Sequence, residues 1–211
     1  MNDDNNLLLI GVCGGSASGK SSISKYIHNY FGQKKCGIIE VDSYYNDLRH
    51  IEFEEREKKN FDHPNAFDFN FLYEQLIALK NNSSIEIPIY DYKTHTRKND
   101  FKKISNQKII VIEGILTFHD KRIRDILDMK IFVDTSEKVR MERRIKRDMR
   151  SRKRTYESII HQFKSTVTPM HNKFIQPTKK YADFIITKGV KNTVAMEKVI
   201  SNIISMVNTK N

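Results

Sequence analysis

The chain has 211 residues, of which 38% are hydrophobic and 30% are charged, and this composition predicts one globular α/β domain spanning residues 1–211. No apolar run approaches the ~18 residues of a membrane span, and the polar, acidic N-terminus is unlike a secretory signal. Cys13 and Cys36 lie in apolar strand patterns, which favours buried free thiols over a disulfide or a metal site. We therefore expect a cytoplasmic protein that does not bind membranes.

The net charge of +11 is compatible with three classes of partner: nucleic acid, a membrane surface or small anionic ligands. Much of the excess is local, because residues 138–154 include ten Lys or Arg. The remaining lysines are scattered among Asn and Ile, which is typical of a compositional bias and requires no partner.

The first predicted elements are a buried strand at residues 7–10 and a helix at Lys20–Phe31, and residues 14–21 between them match G-x-x-x-x-G-K-[ST]. In such a loop, backbone N–H groups converge on phosphate at a helix N-terminus, and glycines let the backbone approach closely. Lys20 is expected to reach the β- and γ-phosphates, and the Ser21 hydroxyl to ligate Mg²⁺. The predicted phosphate-binding set is Gly14, Gly15, Ser16, Ala17, Ser18, Gly19, Lys20, Ser21 and Ser22.

A second strand is predicted at residues 36–41, and it ends at Asp42. A carboxylate at the C-terminal end of a strand beside a phosphate loop is where an α/β sheet places its chemistry, so Asp42 is the candidate general base. A loop-capping role for Asp42 is the alternative. A short exposed helix is expected at residues 51–60.

The next loop alternates aromatic and acidic residues around Pro64, which interrupts any helix and is able to hold Asp62 rigidly. Asp68 is equally suited to cap the helix predicted at Phe69–Lys80. Residues 85–92 then alternate apolar and polar side chains, which predicts an edge strand or hairpin. Tyr90 or Tyr92 could stack on a ligand and His95 could donate a hydrogen bond, although a plain surface hairpin fits the pattern better when taken alone.

The β-branched run at residues 109–112 predicts a buried central strand, and Glu113 follows it as an acid expected near Mg²⁺. Residues 131–134 and 182–186 are predicted to be further strands. Helices are expected at residues 156–175, ending before Pro177, and at residues 193–207.

The basic run at residues 138–154 places Arg140, Arg144 and Arg147 on one helical face. Such a run is usually a solvated face or a nucleic-acid patch. Beside a phosphate loop a third interpretation fits better, in which residues of about 138–160 form a mobile lid whose arginines close over a transferring phosphoryl group.

Together these residues resemble the uridine-cytidine kinases, which phosphorylate pyrimidine ribonucleosides for salvage, from residue 8 to about residue 195. The stretches that carry the resemblance are GVCGGSASGKSS, VDSYY, FDHPNAFDF, IPIYDYKTHTRK, IEGILTF, RRIKRDMRSRKR and PTKKYADFII. The resemblance implies a P-loop kinase fold, with a parallel five-stranded sheet flanked by helices, a β-hairpin over the nucleoside and an arginine-rich lid. It further implies ATP or GTP as phosphate donor, Mg²⁺, uridine or cytidine as substrate, no nucleic-acid partner and a homotetramer.

The resemblance also assigns roles to residues at matching positions. Asp42 is expected to take the proton of the ribose 5′-hydroxyl, Asp62 to accept from ribose hydroxyls, and Glu113 to serve the magnesium site. The remaining matches are base recognition by Tyr90 and His95, base packing by Tyr92, phosphate contacts by Arg144 and Arg147, and lid or nucleoside contacts by Arg152, Arg154 and Gln162.

Two departures from the family pattern stand out. Lys153 occupies a position that is often glycine, which bears on lid flexibility, and residues 187–192 lack the family's usual loop near the donor base. Two alternatives stay open at this point: a phosphoribulokinase-type enzyme acting on a sugar phosphate, and a non-enzymatic P-loop switch or RNA-binding protein.

Overall fold

The computed structural model describes residues 7–210, and its main sheet has five parallel strands in the order β2-β5-β1-β6-β7. A separate antiparallel hairpin pairs β3 with β4. The strands are β1 (Leu8–Gly14), β2 (Cys36–Glu40), β3 (Ile85–Asp91), β4 (Thr96–Ile104), β5 (Ile109–Gly114), β6 (Met129–Asp134) and β7 (Phe184–Thr187). The predicted parallel sheet and hairpin are therefore confirmed.

Helices cover both faces of the sheet. Alternate residues of the fully buried strand β1 therefore belong to two different hydrophobic cores, one on each face. Leu8, Ile10 and Val12 belong to one hydrophobic cluster and Leu9 and Cys13 to the other. The helices are α1 (Lys20–Phe31), α2 (Phe53–Glu57), α3 (Phe69–Lys80), α4 (Lys121–Ile126), α5 (Glu137–Arg152), α6 (Tyr156–Gln162), α7 (Thr168–Met170) and α8 (Thr193–Thr209).

The register of the sheet brings three strand ends to one edge. Glu113 of β5 lies opposite Val12 of β1 on one side and Glu40 of β2 on the other. The phosphate loop follows β1, and a 3₁₀ turn at Val41–Tyr44 follows β2. The loop, Asp42 and Glu113 consequently share the C-terminal edge of the sheet, where open α/β sheets bind ligands.

The segment predicted as one α-helix at residues 156–175 is helical but irregular. After α6 it contains π-type turns at Phe163–Val167 and His171–Ile175, on either side of the short α7. Four residues of an α-helix turn through about 400°, so a strict four-residue repeat drifts off one face. The wider π-type turns offset this drift and keep one face buried. The residues of that face are Ile159, Phe163, Val167, His171 and Ile175.

Other boundaries differ by a few residues. The last strand is Phe184–Thr187 rather than residues 182–186, and α2 is shorter than predicted. A 3₁₀ turn at Gln176–Tyr181 contains Pro177, where the preceding helix was expected to end. Cys13 and Cys36 are free and buried, as predicted. Within residues 7–210, no helix has the length and apolar character needed to cross a membrane.

Candidate active site

The phosphate-binding loop joins β1 to α1 in a conformation that depends on glycine. Gly14 and Gly19 have φ angles of 148° and 104°, in the region that disfavours side chains. A Cβ on Gly14 would lie 2.6 Å from the carbonyl oxygen of Val133, so the neighbouring strand β6 leaves no room for one. No side chain caps the N-terminus of α1 at Gly19, which leaves the first-turn N–H groups available to an anion.

A cleft of about 360 Å³ opens beside this loop. Loop residues, three acids at strand ends (Glu40, Asp42 and Glu113), one hairpin tyrosine and two arginines of α5 line it. They include Ser16, Ala17, Gly19, Lys20, Ser21, Ser22, Asp42, Glu113, Tyr92, Arg143 and Arg147. Lys20 is largely buried and its Nζ donates to the carbonyl oxygen of Gly15 at 3.2 Å, so its charge is held at the loop.

Asp42 lies at the start of the turn after β2, with its Oδ1 buried and without a hydrogen-bond partner among residues 7–210. Burial first, and then the negative charge of Glu113, raise the pKa of Asp42 to about 7, although the positive charge of Lys20 acts in the opposite direction. A carboxylate with a pKa near neutrality is suited to accept a proton in a reaction at neutral pH.

Ser21 and Glu113 fit the requirements of a magnesium site. The Ser21 hydroxyl donates to Oε1 of Glu113 at 2.7 Å, which brings together two hard oxygen atoms at the floor of the cleft. Residues 7–210 contain no cluster of three or more His, Cys, Asp or Glu able to hold a metal. Mg²⁺ does not require one, because it is commonly bound by one or two protein oxygens together with substrate phosphates and water.

Asp62 is buried in the loop between α2 and α3. Burial raises the pKa of its carboxyl, while the nearby positive charges of Arg144 and Lys20 act in the opposite direction. The Asp62 N–H donates to Asn60 Oδ1 at 3.0 Å, and the adjacent Phe61 ring stacks on His95 at 4.7 Å. This loop therefore packs against the hairpin. Asp68 caps α3, with its Oδ1 accepting from the N–H of Phe71 at 3.0 Å.

The hairpin carries the three aromatic residues singled out from the sequence. Tyr90 is buried against Tyr45, with ring centroids 5.0 Å apart, and its hydroxyl has no hydrogen-bond partner within the described chain. Tyr92 is about half exposed and lines the cleft, and the guanidinium of Arg152 lies 5.7 Å above its ring. His95 lies near the turn with a φ of 55°.

The arginines of the predicted lid form a network that reaches the phosphate loop. Arg144 donates from Nη1 to Ser16 Oγ and from Nη2 to Gln162 Oε1, both at 2.9 Å. Gln162 Oε1 also accepts from Arg154 Nη1 at 2.5 Å. Arg147 lines the cleft, so the structure brings Arg144, Arg147, Arg154 and Gln162 to one side of the site.

Arg140 differs from the other arginines of its face. It is buried beneath the loop rather than in the cleft, and its Nε donates to the carbonyl oxygen of Thr135 at 3.1 Å. A Cβ on Gly15 would lie 2.6 Å from Arg140 Nη1 and 2.9 Å from His171 Nδ1. Arg140 and His171 thus pack against the loop, and Arg140 does not line the cleft although it shares a helical face with Arg144 and Arg147.

Sequence reasoning missed two residues of this region. Arg143 lines the cleft and donates to the carbonyl oxygen of Ser18 at 3.0 Å. It follows Arg140 by three residues and precedes Arg147 by four, so helical spacing could have indicated it. His171 could have been found from the four-residue spacing of the buried face that begins at Ile159.

Residues 9–195 of the chain match the model of the Phosphoribulokinase / Uridine kinase family. The chain belongs to this family. This family member is 49% identical to the uridine kinase of Streptococcus pyogenes serotype M5 (strain Manfredo), over 94% of this chain and 96% of that relative. It is 48% identical to the uridine kinase of Lactococcus lactis subsp. cremoris (strain MG1363), over 95% of this chain and 98% of that relative.

Solved structures of low identity support the fold of this family member. The phosphoribulokinase from Rhodobacter spheroides matches with a TM-score of 0.66 and 17% identity, over 87% of this chain and 70% of that chain. A possible uridine kinase from Bacillus stearothermophilus matches with a TM-score of 0.60 and 18% identity, over 85% and 88%. The predicted P-loop kinase fold is therefore confirmed.

Proposed function

We propose that this protein transfers the γ-phosphoryl group of ATP or GTP to the 5′-hydroxyl of uridine or cytidine, giving UMP or CMP for pyrimidine salvage. The observation that carries the proposal is the Asp42 carboxylate, with Oδ1 buried and a pKa raised to about 7, in one cleft with the phosphate loop and Glu113. The uridine kinase relatives, at 48–49% identity over nearly the whole chain, support the choice of acceptor.

In this proposal the loop and two basic residues bind the donor. Backbone N–H groups from Gly14 onward and the Lys20 ammonium hold the phosphates, and Arg147 faces them from α5. Ser21 and Glu113 would hold Mg²⁺, which when bound neutralises negative charge on the phosphates. Asp42 accepts the proton of the attacking hydroxyl.

The hairpin and the Asp62 loop form the nucleoside end of the site. Tyr92 offers an aromatic face at the cleft, suited to stacking a base, and Tyr90 and His95 supply hydrogen-bonding groups. Asp62 accepts from ribose hydroxyls, and Arg152, Arg154 and Gln162 close from the lid. Aromatic surface favours a base over a sugar phosphate, which distinguishes this proposal from a phosphoribulokinase-type reaction.

A coupled assay of ADP or GDP release tests the proposal with a panel of acceptors. We expect rapid turnover with uridine and cytidine, and little with ribulose 5-phosphate. Turnover with the sugar phosphate alone would contradict the proposed acceptor. Tight, sequence-selective binding of single-stranded RNA at physiological salt would instead favour a nucleic-acid function. The homotetramer and the cytoplasmic location stay predictions.

A further inference from the structure

Helix α5 buries charged side chains where a helix usually buries apolar ones. Its buried residues are Arg140, Arg144 and Asp148, spaced four apart on one face. Asp148 is fully buried, with 0% of its surface exposed, although it lies within the most basic stretch of the chain. A carboxylate is buried to this extent only when cations compensate it, because its desolvation is otherwise too unfavourable.

Three arginines surround this carboxylate. Arg147 Nε lies 2.8 Å from Oδ1, Arg152 Nη1 lies 3.7 Å from Oδ1, and Arg144 Nε lies 3.4 Å from Oδ2. The main chain of Asp148 also closes the helix, since its carbonyl oxygen accepts from the N–H of Lys153 and from that of Arg154 at 3.3 Å. Asp148 thus contacts Arg144, Arg147 and Arg152 through its side chain, and Arg154 through its main chain.

The geometry of Arg144 shows what this arrangement achieves. A guanidinium has five N–H donors in a fixed plane, so fixing one edge orients the others. Arg144 Nε forms an ion pair with Asp148 Oδ2 at 3.4 Å, without the geometry of a hydrogen bond, while its two Nη atoms donate to Ser16 of the phosphate loop and to Gln162. Without a central anion, the positive charges of Arg144, Arg147 and Arg152 would repel one another in a confined space.

We propose that Asp148 is a positioning residue, which acts through Arg144 and Arg147 to hold their guanidiniums where the donor phosphates bind. The proposal deepens the proposed function and rests on it for the reaction. Asp148 does not line the cleft, so its effect on turnover passes through the arginines. A purely structural role would be to fix the C-terminal end of α5.

The first test compares two variants that each remove one negative charge from α5. Asp148→Asn keeps the shape of the side chain, and Glu142→Gln is the matched control because Glu142 is exposed on the same helix. We expect Asp148→Asn to lower kcat/KM for uridine phosphorylation by roughly 10- to 100-fold, as for a displaced catalytic group. Glu142→Gln is expected to stay within about twofold. Wild-type kcat/KM in a folded Asp148→Asn protein would overturn the proposal.

A double-mutant cycle separates positioning from structural support. If Asp148 acts through Arg147, Asp148→Asn has a much smaller effect on kcat/KM in an Arg147→Ala background than in the wild type. Equal fold-losses in both backgrounds would contradict the proposal. If Asp148→Asn does not fold, the same measurement is made on Asp148→Glu. This variant keeps the negative charge but moves the carboxylate by one methylene. We then expect a several-fold loss of kcat/KM, and wild-type activity would overturn the proposal.

Calorimetric titration with a non-hydrolysable ATP analogue keeps this test independent of the acceptor. If no nucleoside is phosphorylated, the proposed function is wrong. The role of Asp148 can still be tested, because the affinity of each variant for the ATP analogue is measured without an acceptor. Asp148→Asn is expected to weaken binding of the analogue, whereas Glu142→Gln leaves it unchanged. Equal affinity of the wild type and Asp148→Asn would reject the positioning role.

Discussion

The Ser21 hydroxyl donates a 2.7 Å hydrogen bond to Oε1 of Glu113, which links the first turn of α1 to the end of β5. The contact follows from the parallel pairing of β1 with β5, because their carboxyl ends lie side by side and the loop after β1 returns over Glu113. A phosphate-binding element and an acid are thereby held at hydrogen-bond distance by the sheet itself.

Glu113→Gln tests this pair as a magnesium site. The amide keeps the size of the side chain but loses the negative charge, so the Mg²⁺ concentration for half-maximal activity should rise by on the order of tenfold or more. The measurement is a Mg²⁺ titration of initial rates at saturating nucleoside. Glu40→Gln, at the neighbouring strand end, removes the same charge from the cleft lining and is the control. An unchanged titration for Glu113→Gln would exclude Glu113 from the metal site.

Asp42→Asn tests the general base. The variant should bind a non-hydrolysable ATP analogue normally, while removal of the base lowers kcat by on the order of 10²–10⁴-fold. Because the pKa of Asp42 is raised to about 7, mainly by burial, wild-type kcat/KM should fall as the pH is lowered through neutrality and Asp42 takes up a proton. The measurement is kcat/KM across pH 5.5–8.5. Near wild-type turnover in Asp42→Asn would rule out this role.

The residues of the cleft that could be predicted are those whose position follows from local pattern and sheet topology. The loop has a fixed spacing because phosphate geometry demands it, and Asp42 and Glu113 each follow a strand, so a parallel sheet places them at one edge. The N-cap Asp68 is similarly a local feature.

The parts that were not predictable depend on how distant elements pack. Arg140 and Arg144 share a helical face, yet Arg140 packs against Gly15 and Arg144 donates to Ser16, at the other contact with the loop. The π-type turns that carry His171 were missed because an α-helical period of 3.6 does not describe a four-residue repeat. The spacing of the arginines alone does not show which of them packs against the loop and which reaches the cleft.

His171 predicts an acid-sensitive stability. Burial first, and then the charge of Arg140, lower the pKa of His171 to about 4, whereas an unfolded histidine titrates near pH ~6.5. Between these values the unfolded chain binds the additional proton, so the free energy of unfolding falls as the pH falls from ~6.5 towards 4. The loss attributable to His171 should be about 2 kcal/mol at pH ~5.

Urea denaturation of the wild type and of His171→Gln at a series of pH values measures this contribution. The variant does not titrate at this position, so its stability should change less than that of the wild type between pH 7 and 5. Other groups contribute equally to both proteins and cancel in the difference. His161→Gln, an exposed histidine of α6, is the control and should leave the wild-type slope unchanged. Parallel pH curves for the wild type and His171→Gln would contradict the prediction.

The last prediction concerns the sugar. Asp62 is buried in a loop anchored by the stacking of Phe61 on His95 and by the buried Pro64. A carboxylate that accepts a hydrogen bond from a ribose hydroxyl makes a charge-assisted interaction, which contributes roughly 1.5–3 kcal/mol. A 2′-deoxy substrate leaves that buried acceptor partly unpaired, so kcat/KM for uridine should exceed that for deoxyuridine by about 10- to 150-fold.

Asp62→Ala should reduce the ratio of kcat/KM for uridine to kcat/KM for deoxyuridine. The variant lowers the value for uridine far more, because only uridine loses the hydrogen bond. The matched control is Asp100→Ala, which removes an exposed carboxylate from β4 and should preserve the ratio. Measuring kcat/KM of both nucleosides with all three proteins separates recognition from general damage, since general damage lowers both values equally. If the wild type uses deoxyuridine as well as uridine, or if Asp62→Ala leaves the ratio unchanged, Asp62 does not read the ribose.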